Sequence, residues 1–311
     1  MKIKYGLFLL LLLFKASCSV DYDIRNIQTR EPDCIVVNAY LSPNKSIQIQ
    51  LHESRSSGNN FLIRGLTNAH VVLKEDKKMV FDGLAPDSLL VLDYFPKAGA
   101  NYSIEVSCAD LPTVSAQTYV PKAMTVSSKF LHQTYWDTSE YLFYLDTFKY
   151  DKDEKVALWI TSYQLYEAGT SVQYNEIYAN NILIDKANSV AGMGAVNETV
   201  GSIYYNGFLR VKYTNIPKLS EIVLTPNYVQ DGADYVPEES PQNKIQVRLI
   251  TASLEYDKYN KTLYDQKFMI IYDNDISSVF YQPKGVYNNI KNGFGIFAGM
   301  NEVNYIFELP I

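Results

Sequence analysis

The chain has 311 residues and a net charge of −6 at pH 7, with 28 Lys and Arg against 34 Asp and Glu. This balance excludes the basic footprint that a nucleic-acid-binding protein needs. The length exceeds what one small sandwich core requires, so we expect two folded domains. The chain has 26 tyrosines, a residue type that favours strands and partly solvated surfaces, which indicates a protein rich in β-structure.

The first residues are typical of a secretory signal. Lys2 and Lys4 precede an apolar run from Tyr5 to Phe14. This run is much shorter than the ~20 residues that cross a bilayer, so a transmembrane helix is not expected. We predict a signal peptide over residues 1–17.

The motif Ala16-Ser17-Cys18 fits two kinds of processing. Ordinary signal peptidase would cut after these small residues. Lipoprotein processing would instead leave Cys18 as an acylated first residue, although Lys15 stands where such signals usually carry Leu. We favour lipidation of Cys18, with palmitate among its acyl chains, because several chains on one residue hold a protein stably in a membrane. Residues 18–32 would then form a lipidated tether to the outer membrane. The acidic stretch after the cysteine resembles a surface-export signal.

The two remaining cysteines allow two interpretations. If Cys18 carries lipid, Cys34 and Cys108 form an even pair in an oxidising compartment, where a disulfide is favoured. Alternatively both are buried thiols that pack as small hydrophobic groups.

Residues 33–122 are predicted to form an N-terminal Ig-like or transthyretin-like sandwich of seven strands, and we expect a fragment from Asp21 to Lys122 to fold alone. In the second strand, Ile47, Ile49 and Leu51 alternate with polar residues and so share one face. The polar run RSSGNN is expected to end that strand. The predicted strands cover residues 34–42, 46–54, 69–76, 79–83, 88–95, 101–109 and 113–121.

Residues 123–311 are predicted to form a larger β-rich domain with one amphipathic helix near residues 252–267. Ala252, Tyr256 and Tyr259 begin an i+3/i+4 apolar pattern with charges between them, which favours a helix over a strand. The terminal segment VNYIFELPI is expected to be a strand paired inside this domain.

The sequence marks no catalytic, metal or cofactor site. The three histidines, His52, His70 and His132, lie in no spacing typical of zinc, and the chain has neither a G-x-S-x-G elbow nor an H-E-x-x-H pair. The acidic run at residues 151–155 is expected to be a solvated turn, with a calcium site as the alternative.

Aromatic residues are crowded in the second half of the chain and provide a candidate binding surface for a small molecule or glycan. Neighbouring strand residues point to opposite faces, so Tyr204 and Tyr205 cannot both be buried on one face. The alternative is that these tyrosines lie on the solvated outer face of a sheet, where their hydroxyls contact water. The candidates are Tyr135, Trp136, Tyr163, Tyr166, Tyr204, Tyr205 and Tyr228.

Several motifs together resemble a known family. They are IVVNAYLSP, NAHVVLKED, GANYSIEV with SAQTYVP, and YQPKGVYNNIKNGFGIFAG. The chain resembles the Bacteroidetes outer-membrane lipoproteins grouped as domain of unknown function 4249, from Cys18 to Phe297. The last motif is the most specific. Its matching residues are Pro283, Asn289, Ile290, Gly293, Gly295 and Phe297.

Within that motif, Gly293 and Gly295 bracket Phe294, and two glycines this close permit a sharp backbone bend. We predict a structural turn leading into a core strand; a ligand loop is the alternative.

The family resemblance implies a location and a partner but no active site. Such lipoproteins are encoded beside TonB-dependent outer-membrane transporters, which implies a non-catalytic accessory or substrate-capture protein. The alternative is a fimbrial or adhesin-type β-sandwich subunit, which would assemble by donating a strand to another subunit.

Overall fold

The computed structural model describes residues 33–57, 60–108, 110–135, 138–166, 172–174, 176–179, 209–211, 214, 216–218, 221–225, 241–271 and 285–308. Strands dominate these ranges, which confirms the mainly β class predicted from the sequence. Within them the chain forms seventeen strands, one α-helix and one short 3-10 helix.

The strands are β1 (Cys34–Leu41), β2 (Ile47–Ser57), β3 (Asn60–Gly65), β4 (Ala69–Glu75), β5 (Lys78–Ala85), β6 (Leu89–Leu92), β7 (Ala100–Cys108), β8 (Leu111–Val120), β9 (Thr125–Tyr135), β10 (Thr138–Lys149), β11 (Ala157–Tyr166), β12 (Val172–Tyr174), β13 (Glu176–Ala179), β14 (Leu209–Val211), β15 (Glu221–Thr225), β16 (Pro241–Ala252) and β17 (Phe294–Glu308). The 3-10 helix covers Ile216–Lys218, and the α-helix α1 covers Leu254–Ile271.

The strands form three sheets. The largest has the order β12-β11-β16-β17-β1-β2-β3, with β14 added on β11 and β6 added on β2. The other two are four-stranded, with orders β13-β15-β10-β9 and β5-β4-β7-β8. The β5-β4-β7-β8 sheet packs on the β1, β2 and β6 end of the largest sheet, and their inward side chains make one core.

The N-terminal sandwich contains each of the seven predicted strands and one more. The additional strand, β3, begins at Asn60, the last residue of the run RSSGNN, and pairs antiparallel with β2, with Ser57 opposite Asn60. The second strand therefore ends three residues later than predicted, because the first three residues of the run still belong to β2 and pair with β3.

Alternation determines which side chains of the sandwich are buried. Ile47, Ile49 and Leu51 are fully buried, as their spacing predicted. Each such side chain contributes roughly 1.5–3 kcal/mol by leaving water.

The last strand, β17, joins the two predicted domains. Its first part runs parallel to β1, from Val36 opposite Phe294 to Leu41 opposite Gly299. Its second part pairs antiparallel with β16 as far as Glu308. The expected pairing of the terminal strand inside the second domain is thus confirmed. Phe297 nevertheless belongs to the core of the sandwich. The domain boundary at residue 122 stays a prediction.

The helix begins two residues later than its predicted start, because β16 continues to Ala252. Ser253 caps it: its Oγ accepts a hydrogen bond from the Tyr256 backbone N–H at 3.2 Å. Glu255 and Asp257 lie in the first turn, where negative charge is favourable. In the described part of the chain, no helix is long and apolar enough to cross a membrane.

Candidate functional site

The glycines of the most specific motif bring β17 against its neighbours. A Cβ on Gly293 would lie 2.4 Å from the Ile35 carbonyl oxygen, and one on Gly295 would lie 2.1 Å from that of Val37. Gly295 also has a φ of +112°, a conformation that other residues rarely adopt. These glycines have a structural role, since the space beside them is filled by the backbone of β1.

The asparagines before these glycines hold the same segment in place. The Asn289 amide pairs with the Phe297 backbone: its Nδ2 donates to the carbonyl at 2.7 Å, and its Oδ1 accepts from the N–H at 3.0 Å. Asn288 Oδ1 accepts from the Ile290 N–H at 2.9 Å, as expected for a turn. The side-chain amides of Asn288 and Asn289 therefore form hydrogen bonds with the backbone.

The two sandwich cysteines are not bridged. Cys34 opens β1 in the largest sheet and is buried, whereas Cys108 ends β7 in the facing sheet and is half-buried. Within the described ranges no disulfide joins them, and both pack as thiols, the second of the two interpretations.

The predicted aromatic surface lies largely outside the described structure. Tyr135 ends β9, and Tyr163 and Tyr166 lie on β11, but their side chains are outside the described residues. The remaining four candidates, and the lipidation residue, are also outside them: Trp136, Tyr204, Tyr205, Tyr228 and Cys18.

The structure shows a different site, a cleft of about 500 Å³ beside the sandwich, which we call the main cleft. It is lined by the β4–β5 turn (Asp76 and Lys77), by residues 101–103 of β7, by residues 117–119 of β8 and by Glu255 of α1. The cleft thus combines residues of the sandwich with the first turn of the helix. Its volume falls in the range of ~300–1,000 Å³ typical of small-molecule sites.

The floor of the main cleft is the outer face of β7 and β8. Asn101 lies opposite Tyr119, and Ser103 lies opposite Gln117. Because side chains alternate along a strand, these four point away from the core that buries Tyr102. The floor therefore carries amide and hydroxyl groups, each of which can donate and accept hydrogen bonds.

The ring of Tyr119 is held by a carboxylate. Its hydroxyl donates to Glu154 Oε1 at 2.6 Å. Burial, together with this hydrogen bond, raises the pKa of Tyr119 well above its ordinary value. The hydroxyl consequently stays protonated, and the ring keeps one orientation at the edge of the main cleft.

Three charged side chains, those of Asp76, Lys77 and Glu255, line the main cleft. Lys77 is exposed, and Glu255 is half-buried and accepts a hydrogen bond from Thr118 Oγ1 at 3.2 Å. Within the described part of the chain, neither Lys77 nor Glu255 forms an ion pair. Both charges are available to a ligand.

The turn that carries Lys77 has an unfavourable backbone. Asp76 has a φ of 44° and Lys77 a φ of 75°, although neither is glycine. The turn is attached to β7, because Asp76 Oδ1 accepts from the Asn101 N–H at 3.0 Å. Positive φ at both central residues is the geometry of the two-residue turn that joins β4 to β5, and a non-glycine residue adopts it at a cost of ~1–3 kcal/mol.

An adjoining cleft of about 370 Å³, the side cleft, shares Tyr119 and Glu255 with the main cleft. It contains the acidic turn at residues 151–155, and here two of the carboxylates are paired with a lysine. Lys122 Nζ lies 2.8 Å from Asp151 and 3.8 Å from Glu154. The turn is therefore held by a lysine, and no group of three or more metal-ligating side chains occurs in the described residues.

A buried carboxylate lies behind the main cleft. Glu75 accepts hydrogen bonds from Lys97 Nζ at 2.6 Å, from the Tyr94 hydroxyl at 2.5 Å and from the Tyr102 hydroxyl. Burial raises the pKa of the Glu75 carboxyl, but these three hydrogen bonds lower it further than burial raises it. The carboxylate is thus fully paired and positions Tyr102 under the floor of the cleft.

Sequence reasoning missed the main cleft. The polar positions of β7 and β8 were detectable as the outward half of two alternating strands. Nothing local indicated that Glu255, 178 residues after Lys77, would line the same cleft.

A family model described as "Domain of unknown function (DUF4249)" matches residues 19–306. No curated protein matches the chain.

Proposed function

Because the chain belongs to the DUF4249 family, we propose that it is a non-catalytic outer-membrane lipoprotein, exposed at the cell surface, that captures a substrate for a TonB-dependent transporter. Family membership supports this proposal because the resemblance implies that such lipoproteins are encoded beside TonB-dependent transporters. The observation that carries the capture role is the main cleft, in which Lys77 and Glu255 carry opposite charges that form no ion pair with the described residues, above a hydrogen-bonding floor.

Attachment to the membrane would come from Cys18. The described structure begins at Asp33, so fifteen residues separate the acylated cysteine from β1. At ~3.3–3.6 Å per residue this tether reaches at most roughly 50 Å. Such a reach lets the folded part contact a transporter in the same membrane.

The alternative, a fimbrial or adhesin-type subunit, is less well supported. Strand donation requires a terminal strand that can leave its own sheet. Here β17 pairs with β1 on one side and with β16 on the other. Releasing it would also remove Phe297 from the sandwich core.

The test is co-purification from outer membranes extracted in mild detergent. The tagged wild-type protein is expected to bring with it a transporter-sized barrel protein that mass spectrometry identifies as TonB-dependent. Cys18→Ala is expected to release the protein from membranes and to lose the transporter at cellular concentrations. Cys108→Ala is the matched control and should retain both. Recovery of a ladder of the protein's own multimers, without a transporter, would favour the fimbrial alternative.

A further inference from the structure

We propose that the main cleft binds short peptides with free termini, with Lys77 binding the terminal carboxylate and Glu255 binding the terminal ammonium. This inference rests on the proposed capture role and specifies its substrate class. It follows from the charges of the cleft, the spacing of the strands beside them and the chemistry of the floor.

The charges select a ligand with two opposite ends. Lys77 and Glu255 line one cleft, and neither has an ion-pair partner within the described ranges. A purely anionic ligand would meet Asp76 and Glu255, and a purely cationic one would meet Lys77. A zwitterion satisfies both sides at once, because each end meets the opposite charge.

The separation of the two charges sets the length of the ligand. Lys77 follows β4, whereas Glu255 is attached to β8 through the Thr118 hydroxyl. The strand order is β4-β7-β8, so two interstrand spacings, or ~10 Å, lie between these strands. An extended chain advances ~3.3–3.6 Å per residue, which makes a peptide of about three residues the best match. A single amino acid is too short.

The floor suits a peptide backbone. Asn101, Ser103 and Gln117 provide donors and acceptors that can pair with successive N–H and C=O groups. Because these are backbone contacts, the site is expected to recognise peptide length and free ends more than side chains.

The backbone of the turn allows a binding role of Lys77 to be tested separately from a structural one. Glycine would adopt the φ of 75° at Lys77 without strain. The lysine therefore lowers stability while supplying the charge. Lys77→Gly is expected to raise the free energy of unfolding and yet weaken peptide binding, which a purely structural role for Lys77 does not predict.

The experiment is isothermal titration of the detergent-solubilised full-length protein with trialanine. Two capped peptides, N-acetyl-trialanine and trialanine amide, each lack one terminal charge. We expect each cap to weaken binding by about tenfold, since one charge contact accounts for ~1.4 kcal/mol. Lys77→Gln and Glu255→Gln should each weaken the binding of uncapped trialanine to the same degree.

Measuring each capped peptide against each variant shows which residue binds which end of the peptide. The Lys77→Gln variant should bind trialanine amide as well as it binds uncapped trialanine. The same variant should still bind N-acetyl-trialanine more weakly than uncapped trialanine. In Glu255→Gln the pattern should reverse. Lys78→Gln, which changes a neighbouring exposed lysine outside the cleft, should bind trialanine within about twofold of wild type.

Three results would overturn the proposal: no heat of binding with trialanine at millimolar concentration, equal binding of capped and uncapped peptides, or tighter binding of maltotriose than of trialanine. Titration uses the isolated protein, so its failure is distinct from a failure of transporter co-purification. A protein that retains the transporter but ignores trialanine would refute only the peptide assignment.

Discussion

Arg210 on β14 and Asp257 on α1 form a buried, two-point ion pair. The Arg210 Nε donates to Asp257 Oδ1 at 2.6 Å, and its Nη2 donates to Oδ2 at 2.5 Å. Trp159 on β11 donates its indole N–H to the same Oδ1 at 2.9 Å. The pair connects the helix that carries Glu255 to the face of the largest sheet, and so determines where one wall of the main cleft stands.

We predict that Asp257→Ala costs ~3–5 kcal/mol in the free energy of unfolding, because it leaves the Arg210 guanidinium buried without its counter-charge. Urea denaturation followed by circular dichroism measures this. The matched control is Asp82→Ala, which removes an exposed partner of His70 and should cost less than ~1 kcal/mol. The double variant Arg210→Met with Asp257→Leu should recover part of the loss. Equal effects of the two alanine variants would contradict a special role for the buried pair.

A second prediction concerns stability at acidic pH. The Glu75 carboxyl has a pKa below its ordinary value of 4.5. The folded state therefore binds the proton less readily than the unfolded state. The corresponding stabilisation is present above about pH 4.5 and disappears as the pH falls through the lower, folded pKa.

Glu75→Gln should remove part of this acid sensitivity and lower stability at neutral pH by ~1–3 kcal/mol, since it replaces a paired carboxylate. Urea midpoints measured between pH 3 and pH 7 test both points. Glu105→Gln, an exposed change on β7, should leave the pH profile unchanged. If wild type and Glu75→Gln lost stability over the same acidic pH range and to the same extent, other groups would be the cause of that loss.

The third prediction concerns the glycines beside β1. Gly295→Ala should destabilise the protein by roughly 2–4 kcal/mol, because the new Cβ meets the Val37 carbonyl and the φ is positive. Gly285→Ala is a stringent control, since a Cβ there meets nothing within 4 Å. Thermal unfolding of the two variants compares them. A small loss at Gly295 would mean that β17 can move away from β1.

The fourth prediction concerns the independence of the sandwich. The sequence suggests that a fragment from Asp21 to Lys122 folds alone, but Ile290 and Phe297 lie in the same core as the sandwich strands. This fragment also lacks the strand that pairs with β1. We therefore expect it to show poorly dispersed amide resonances and to gain dispersion when a peptide of residues 285–308 is added. A peptide with Phe297→Ala should be less effective, since it lacks the largest of these core side chains. Full dispersion of the fragment alone would show that β17 is dispensable.

Local patterns in the sequence determined the elements of this protein. Alternation at Ile47, Ile49 and Leu51 predicted a half-buried strand, and the i+3/i+4 spacing around Tyr256 predicted the helix. Both follow from the geometry of the backbone, in which side chains repeat every 2 or about 3.6 residues whatever their distant neighbours are. The family motif likewise indicated a structural glycine turn.

Only the tertiary structure decided how these elements meet. The parallel pairing of β17 with β1 joins segments about 260 residues apart, and no local period encodes it. Asp257 has the sequence context of a solvated helix residue, yet it is buried because Arg210 and Trp159 supply its hydrogen bonds. Lys77 and Glu255 line one cleft because folding brings the β4–β5 turn and the first turn of α1 to the same place. The packing of α1 on β16 and β17 is the sum of many long-range contacts, and that sum exists only once the chain has folded.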